Sequence, residues 1–229
     1  MNETLQNKTI IKVTNLTKDY LTESQTVRAV NNVNLEVKSG EFITFVGRSG
    51  SGKTTLLNLI SGLDYPTEGQ ILFDGKDLEK LNQKEIISIR RKKIGIIFQS
   101  FSLLPLLSAY ENVELPLRIS GVKSEQRKKM TTKAIETVGL PHRSRHRPYE
   151  LSGGEQQRIA IARAIVNEPN VILADEPTGE LDSVNAEKIF SSFKKMVKDK
   201  GITILATTHD RTLLNLSDRV IEISDGKLV

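Results

Sequence analysis

The 229-residue chain contains no cysteine. Disulfides and thiolate-held metals are therefore excluded, and the composition is compatible with a reducing compartment. No apolar run approaches the roughly 18 residues that a membrane span requires. The longest, such as Ile94–Phe98 and Val171–Ala174, are strand-sized. Any membrane role is expected to come through a partner. The opening residues, 1–7, are polar and lack the basic start and apolar core of a signal peptide, so none is expected. Internal repeats, low-complexity tracts and long linkers are missing too.

What remains is the composition of a soluble globular protein, 38% hydrophobic and 27% charged, with apolar material for a sizeable core. The length allows one large domain, or one domain with an inserted lobe. Basic residues outnumber acidic ones 33 to 28, a net charge of +5. The excess clusters at Arg90–Lys93, Arg127–Lys129 and Arg143–Arg147. Three readings stay open: solvated helix faces and loop edges, a nucleic-acid surface, or attraction to an anionic membrane face. No aromatics interleave the clusters, which weakens the nucleic-acid reading, and no nucleic-acid partner is expected.

Patterning predicts an α/β fold. Ile10–Leu16 and Val33–Val37 alternate apolar with polar, as half-buried antiparallel strands do. From Phe42 onward, apolar runs (Phe42–Val46, Ile94–Phe98, Val171–Ala174, Ile202–Ala206, Val220–Ile223), with a short strand and turn at Ile71–Gly75, are separated by segments with helical spacing (Lys53–Ser61, 123–139, Gly153–Val166, Val184–Val197). That alternation argues a mostly parallel sheet. One domain over 1–229 is expected, with a β-rich N-terminal part and an inserted helical part at about 100–167.

Between the predicted strand Phe42–Val46 and the predicted helix Lys53–Ser61 stands Gly47-Arg48-Ser49-Gly50-Ser51-Gly52-Lys53-Thr54, a P-loop in the context it requires. Its glycines let successive backbone N–H groups curl around phosphate oxygens, and the helix N-terminus adds roughly half a positive charge. Lys53 reaches the β- and γ-phosphates, and the Thr54 hydroxyl is a Mg²⁺ ligand. Thr55 joins the nucleotide-binding residues. Asp175 and Glu176 end the apolar strand Val171–Ala174, at the edge where open α/β sheets bind ligands. Asp175 is expected to hold Mg²⁺, and Glu176 to polarise the attacking water. Gln99 and His209 each follow a predicted strand on that same side. Both are expected to contact the γ-phosphate and position water or Mg²⁺. ATP hydrolysis is the implied chemistry, with Lys53, Gln99, Glu176 and His209 as its catalytic set.

Leu151-Ser152-Gly153-Gly154-Glu155-Gln156-Gln157-Arg158 is similar to the signature of the ABC transporter ATP-binding subunits. It stands, as in that family, between Gln99 and Asp175-Glu176. The order Tyr20, P-loop, Gln99, signature, Asp175-Glu176, Asp182, His209 covers almost the whole chain. Physically, Ser152, Gly153 and Gly154 form a second anion cradle at a helix N-terminus. The resemblance implies a P-loop NTPase core with an antiparallel β subdomain and a helical subdomain. It also implies a head-to-tail dimer in which each signature closes on ATP held by the other copy. Tyr20 then corresponds to the aromatic that stacks on adenine; its other reading is a core or strand tyrosine. Asp182 corresponds to a loop crossing the interface. A transmembrane permease is the implied partner, so the chain would sit in the cytoplasm, peripheral on the inner face of the cell membrane.

Gln99–Pro105, Glu111–Leu117 and Ala174–Gly179 are similar to the macrolide-exporter, lipoprotein-release and cell-division group, and Val138–Pro148 especially to the lipoprotein-release subunit. Export or extraction of a lipoprotein, peptide or drug is the implied work. The alternative is a module gating a membrane partner in cell division or signalling without transport. A third reading, a soluble ABC-type ATPase acting on DNA or ribosomes, lacks the long coiled-coil insertion or second nucleotide domain of such proteins. Glu180 departs from the family pattern, which has a small or amide residue there. Its carboxylate would weaken dimer closure or pair with a basic residue. The Leu- and Phe-rich stretch Ser100–Glu111 is expected either to receive a helix from the membrane subunit or to pack in the core. His142 and His146, flanked by prolines without a carboxylate partner, read as structural.

Overall fold

The computed structural model describes residues 8–22 and 25–229. Residues 1–7, on which the absence of a signal peptide was expected, lie outside them.

The chain opens with a long hairpin, β1 (Thr9–Leu21) and β2 (Thr26–Lys38). Strand β3 (Phe42–Val46) runs into the glycine loop and α1 (Lys53–Ser61). Next come β4 (Glu68–Phe73), β5 (Lys76–Asp77), α2 (Gln83–Lys93) and β6 (Ile94–Ile97). The helices α3 (Ala109–Ile119), α4 (Ser124–Thr137) and α5 (Gly153–Ile165) follow. The chain then alternates through β7 (Val171–Ala174), α6 (Ser183–Lys200), β8 (Thr203–Thr208), β9 (Arg219–Ser224) and β10 (Lys227–Leu228).

Two sheets result. An antiparallel one has the order β2-β1-β4-β5, and a six-stranded one the order β10-β9-β3-β8-β7-β6. In the second, every pairing is parallel except that of β10 with β9. The expected mostly parallel sheet and antiparallel N-terminal part are both present. Adjacent side chains on a strand point to opposite faces, so the larger sheet separates two cores. Phe42, Ile172, Ala174, Ile204 and Ala206 face α3, α4, α5 and α6. Ile43, Phe45, Val171, Leu173 and Leu205 face α1 and the antiparallel sheet. Burial on both faces is why β3, β7 and β8 read as continuous apolar runs.

The hairpin extends beyond the Ile10–Leu16 and Val33–Val37 segments marked by alternation. Its far end, the last residues of β1 and the first of β2, is solvent-exposed, so the period-2 signal fades there. Helices α2 and α3 go beyond the elements the pattern predicts. Helix α2 buries only Ile86 and Ile89, and its last turn is Arg90–Lys93, so it reads as a charge cluster. Helix α3 carries Pro116 in its interior, which costs an intrahelical bond. Its start is nonetheless written in a capping box, Ser108 with Glu111. From α3, the buried Asn112 donates to the carbonyls of Leu104, Leu107 and Ser108 at 3.1 Å and accepts from Leu104 N–H at 2.8 Å. It thereby shapes the loop that follows Gln99.

Candidate active site

The glycine loop leaves β3 at Val46 and wraps toward the N-terminus of α1. Two of its glycines are sterically required. A Cβ on Gly47 would meet the Ile223 carbonyl oxygen at 2.2 Å. Gly52, with φ of 105°, would meet that of Ala29 at the same distance. Lys53 is the first residue of α1, and its buried ammonium group donates to the Gly47 and Arg48 carbonyls at 2.9 and 3.0 Å. The chain has curled its only P-loop lysine back over the cradle, where it also stands 3.8 Å from Glu176 Oε1.

Strand β7 delivers the acidic pair. Asp175 accepts from the Thr54 hydroxyl at 2.8 Å through Oδ2 and from the Thr207 hydroxyl at 2.8 Å through Oδ1. The Thr207 oxygen in turn accepts from Glu176 N–H at 2.7 Å. Glu176 has φ of 42°, a left-handed conformation costly for a side chain of its size and of the sort that clusters at functional sites. Its Oε2 accepts from Gln99 Nε2 at 3.4 Å and lies 3.4 Å from His209 Nδ1. Residues from the ends of three elements thus converge on one carboxylate at the end of a fourth. The cavity they enclose is about 400 Å³, with Ser49, Gly50, Gly52, Lys53, Thr54, Thr55, Gln99, Glu176 and His209 on its walls.

Thr207 and Ala29 are members of this site that the sequence reading missed. Ala29 lines the cavity from β2, and nothing in an alanine on a strand marks it. Thr207 was readable as a hydroxyl at the end of an apolar strand, two residues before His209. Tyr20 stands off the cavity, at the exposed end of β1, 39% accessible. Its hydroxyl donates to Asp64 at 2.7 Å, and Lys18 sits 4.9 Å from its ring centroid. Burial and the Asp64 bond raise the phenol's pKa, while a bond with Thr55 opposes them. Asp64, unmarked in the sequence, also accepts from Lys18 at 2.7 Å.

The second cradle opens α5. Ser152 is the N-cap, its hydroxyl oxygen accepting from Glu155 N–H, and Glu155 accepts back from Ser152 N–H at 2.8 Å. Arg143 holds Glu155 from the side at 2.9 Å. That backbone bond from Ser152, aided by Arg143, keeps the Glu155 carboxyl below its usual pKa. Gly153 and Gly154 supply first-turn N–H groups without an intrahelical acceptor. Unlike Gly47 and Gly52, neither is required by crowding within the chain. Cβ atoms there would find only ordinary contacts, 3.8 Å from Phe101 and 3.6 Å from Asn185. None of Ser152, Gly153, Gly154 or Asp182 lines the cavity at Lys53. Asp182 caps α6, accepting from Asn185 N–H at 2.9 Å and Nδ2 at 2.7 Å. Glu180 lies beside Gly153 through its carbonyl and has no ion-pair partner among the described residues.

Several residues of the basic clusters are engaged in pairing within the chain. Lys93 binds Asp74, Arg127 binds Glu114, and Arg143 binds both Glu155 and His146. Among the described residues no metal-ligating cluster of three His, Cys, Asp or Glu exists, and no helix is long and apolar enough to cross a membrane. The Ser100–Glu111 stretch is divided. Phe101 is buried at 8% exposure, whereas Leu106 is 81% exposed. A separate apolar groove of about 260 Å³ lies between Leu63, Ile96, Leu115, Pro116, Ile119 and Arg163.

Residues 30–179 match the family model described as ABC transporter. The ABC transporter ATP-binding protein MJ0796 of Methanocaldococcus jannaschii is 46% identical over 223 residues, covering 96% of this chain and 95% of that protein. The lipoprotein-releasing system ATP-binding protein LolD of Hyphomonas neptunium is 41% identical over 220 residues, 96% of each chain. A dimeric structure of MJ0796 in a post-hydrolysis state, bound to ADP and Pi, superposes with a TM-score of 0.89 at 44% identity, over 95% of this chain and 96% of that one. The cbiO1 subunit from Clostridium perfringens, part of the ABC transporter complex cbiONQ, reaches 0.86 at 31% identity, over 97% and 88%. The chain therefore belongs to the ABC transporter family, as one of its ATP-binding and ATP-hydrolysing subunits.

Proposed function

We propose that two copies of this chain close head to tail around two ATP molecules, and that each hydrolytic site is shared. The carrying observation is the contrast between the two cradles. Gly47 and Gly52 are required by contacts inside the chain, whereas Cβ atoms at Gly153 and Gly154 would meet only ordinary contacts. Half-buried glycines at a helix N-terminus that the chain's own packing does not require fit the close approach of something from outside, and a phosphate held by a second copy has the matching charge. The dimeric assembly of MJ0796 supports this reading.

Within each site, Lys53 and the loop N–H groups take the β- and γ-phosphates. Glu176 takes a proton from the attacking water, while Gln99 and His209 orient that water and the terminal phosphate. Mg²⁺ fits the hard oxygen donors here, the Thr54 hydroxyl and the Asp175 carboxylate, with the Gln99 amide oxygen nearby. One carboxylate and one hydroxyl suit an ion that keeps water and phosphate ligands, not a closed protein cage. When bound, it neutralises charge on the phosphates. Tyr20 stacks on adenine, with Thr55 beside it; Arg48, Ser49, Gly50 and Ser51 complete the cradle, and Asp182 sits at the dimer interface.

The work is delivered to a membrane permease. The apolar groove between α2, α3 and α5, rather than Ser100–Glu111 as a whole, offers a seat for a helical segment of that partner. The whole chain acts as one nucleotide domain whose helical part is about 100–167. It is peripheral on the cytoplasmic face of the membrane, and the cargo is a lipoprotein, peptide or drug.

Mixing tests the shared site. Lys53→Ala and Gly154→Asp chains are each expected to be inactive alone. An equal mixture is expected to recover about a quarter of wild-type hydrolysis, since half the dimers carry one intact site of two. No recovery at any ratio rejects the shared site.

A further inference from the structure

Two residues after Gln99 the backbone enters a conformation that side-chain-bearing residues rarely adopt, with φ of 55° at Phe101 and 49° at Ser102. Such backbone persists only where the surroundings over-determine it. Besides the Ser102 N–H bond to the Ser100 carbonyl, one side chain holds both residues. Arg163, on α5, donates through Nη1 to the Ser102 carbonyl at 2.5 Å and through Nη2 to the Phe101 carbonyl at 2.8 Å.

Arg163 is unusual in its own right. Burial pushes its pKa below the ordinary arginine value, and no carboxylate among the described residues acts on it. A partly desolvated cation without an anion is costly unless hydrogen-bonded. The two loop carbonyls are the acceptors that compensate it, and the planar fork of a guanidinium suits two neighbouring acceptors as a lysine would not. The same helix touches the loop a second time. Its first turn, at Gly153, lies against the Phe101 ring, 3.8 Å from where a Cβ would stand. Helix α5 therefore grips the post-Gln99 segment at both ends of its length. The Arg163 side chain also lines the apolar groove with Leu115 and Ile119.

We infer that Arg163 is a positioning residue for hydrolysis. It holds Phe101 and Ser102 in left-handed backbone, thereby sets Gln99 against Glu176, and makes Gln99 move with the helix that carries Gly153 and Gly154. This rests on the assignment of Gln99 and Glu176 to the hydrolytic site. A segment seated in the groove would press on the same arginine, which joins the groove to the Phe101 and Ser102 backbone just past Gln99.

The test uses the full chain with Mg²⁺ and ATP. Arg163→Lys keeps the charge and loses the fork, and is expected to lower kcat by roughly 10- to 100-fold, the scale of a misplacement near 1 Å. ATP affinity stays unchanged. In a Gln99→Ala background, Arg163→Lys is expected to add little further loss, because both act on one step. Adding Ser102→Gly to Arg163→Lys is expected to recover most of the rate, since glycine adopts positive φ without a clamp. An equal loss in the Gln99→Ala background, a loss of ATP affinity, or no recovery with Ser102→Gly overturns the proposal. If Arg163→Lys does not fold, Ser102→Val with Arg163 intact must reproduce the loss of kcat, and a normal rate there overturns it. Hydrolysis that survives Glu176→Gln overturns the site assignment itself. Hydrolysis that depends on Glu176 but not on Arg163 overturns this inference alone.

Discussion

Thr54 donates its hydroxyl to Asp175 at 2.8 Å across 121 residues of sequence. The contact joins the first turn of α1 to the end of β7, and both oxygens are of the hard type that Mg²⁺ takes. Asp175→Asn keeps the shape and removes the charge. It is expected to raise the Mg²⁺ concentration for half-maximal hydrolysis at least ~10-fold, by analogy with metal-supporting groups elsewhere. Chelation is expected to stop the wild-type reaction. A Mg²⁺ titration read by phosphate release checks both, and an unchanged midpoint in Asp175→Asn rejects the metal role.

Glu176 is the carboxylate on which Lys53, Gln99 and His209 converge. Glu176→Gln is expected to slow hydrolysis at least ~100-fold, the size of a lost positioned base. ATP binding should survive, and size-exclusion chromatography with ATP should find the variant as a dimer. A variant that stays monomeric and fast contradicts both the base and the shared site.

Tyr20 is set in place by Asp64, which it shares with Lys18. Burial opposes ionisation of Asp64, but the bonds from Lys18 and Tyr20 outweigh it and leave the pKa below the usual value. Tyr20→Ala is expected to weaken ATP binding by about 1–3 kcal/mol, the worth of one stacked base. Asp64→Asn is expected to cost less, because the ring survives and only its support weakens. Calorimetric titration with ATP and with inorganic triphosphate separates the effects. A loss equal for both ligands would count against stacking.

Glu155 closes the capping box of the signature helix, and its pKa lies below the ordinary glutamate value. A depressed carboxylate contributes stability that is present above its unfolded pKa and disappears as the pH falls through the folded one. Glu155→Gln is therefore expected to cost about 1 kcal/mol at neutral pH, the typical worth of a cap bond. In acid, below the folded pKa, the wild type protonates and the difference should shrink toward zero. Urea unfolding at the two pH values measures it. A difference that grows in acid would show that the charge is not the source.

Much of the fold was legible because its signals are local. Phe42–Val46 and Lys53–Ser61 coincide with β3 and α1, since an all-apolar run and a glycine boundary are unambiguous. Helix α2 was not legible, because its two buried isoleucines give too narrow a stripe beside four basic residues. Phe101 is the residue of the Ser100–Glu111 stretch for which the sequence left both a docking patch and core packing open, and core packing holds. A phenylalanine in a loop gives no sign of whether it faces solvent, and here it packs under the signature helix.

By itself the sequence determined the chemistry. The glycine loop, the acidic pair, Gln99, His209 and the signature are short patterns, and residue type and order suffice to propose a role for each. Tertiary structure alone decided which groups serve them. Thr207 joins Asp175 to Glu176 because β8 pairs with β7 in parallel register. Asp64 meets Tyr20 across 44 residues, and Arg163 reaches Phe101 across 62. Those contacts depend on the packing of distant elements, and no local pattern encodes that packing.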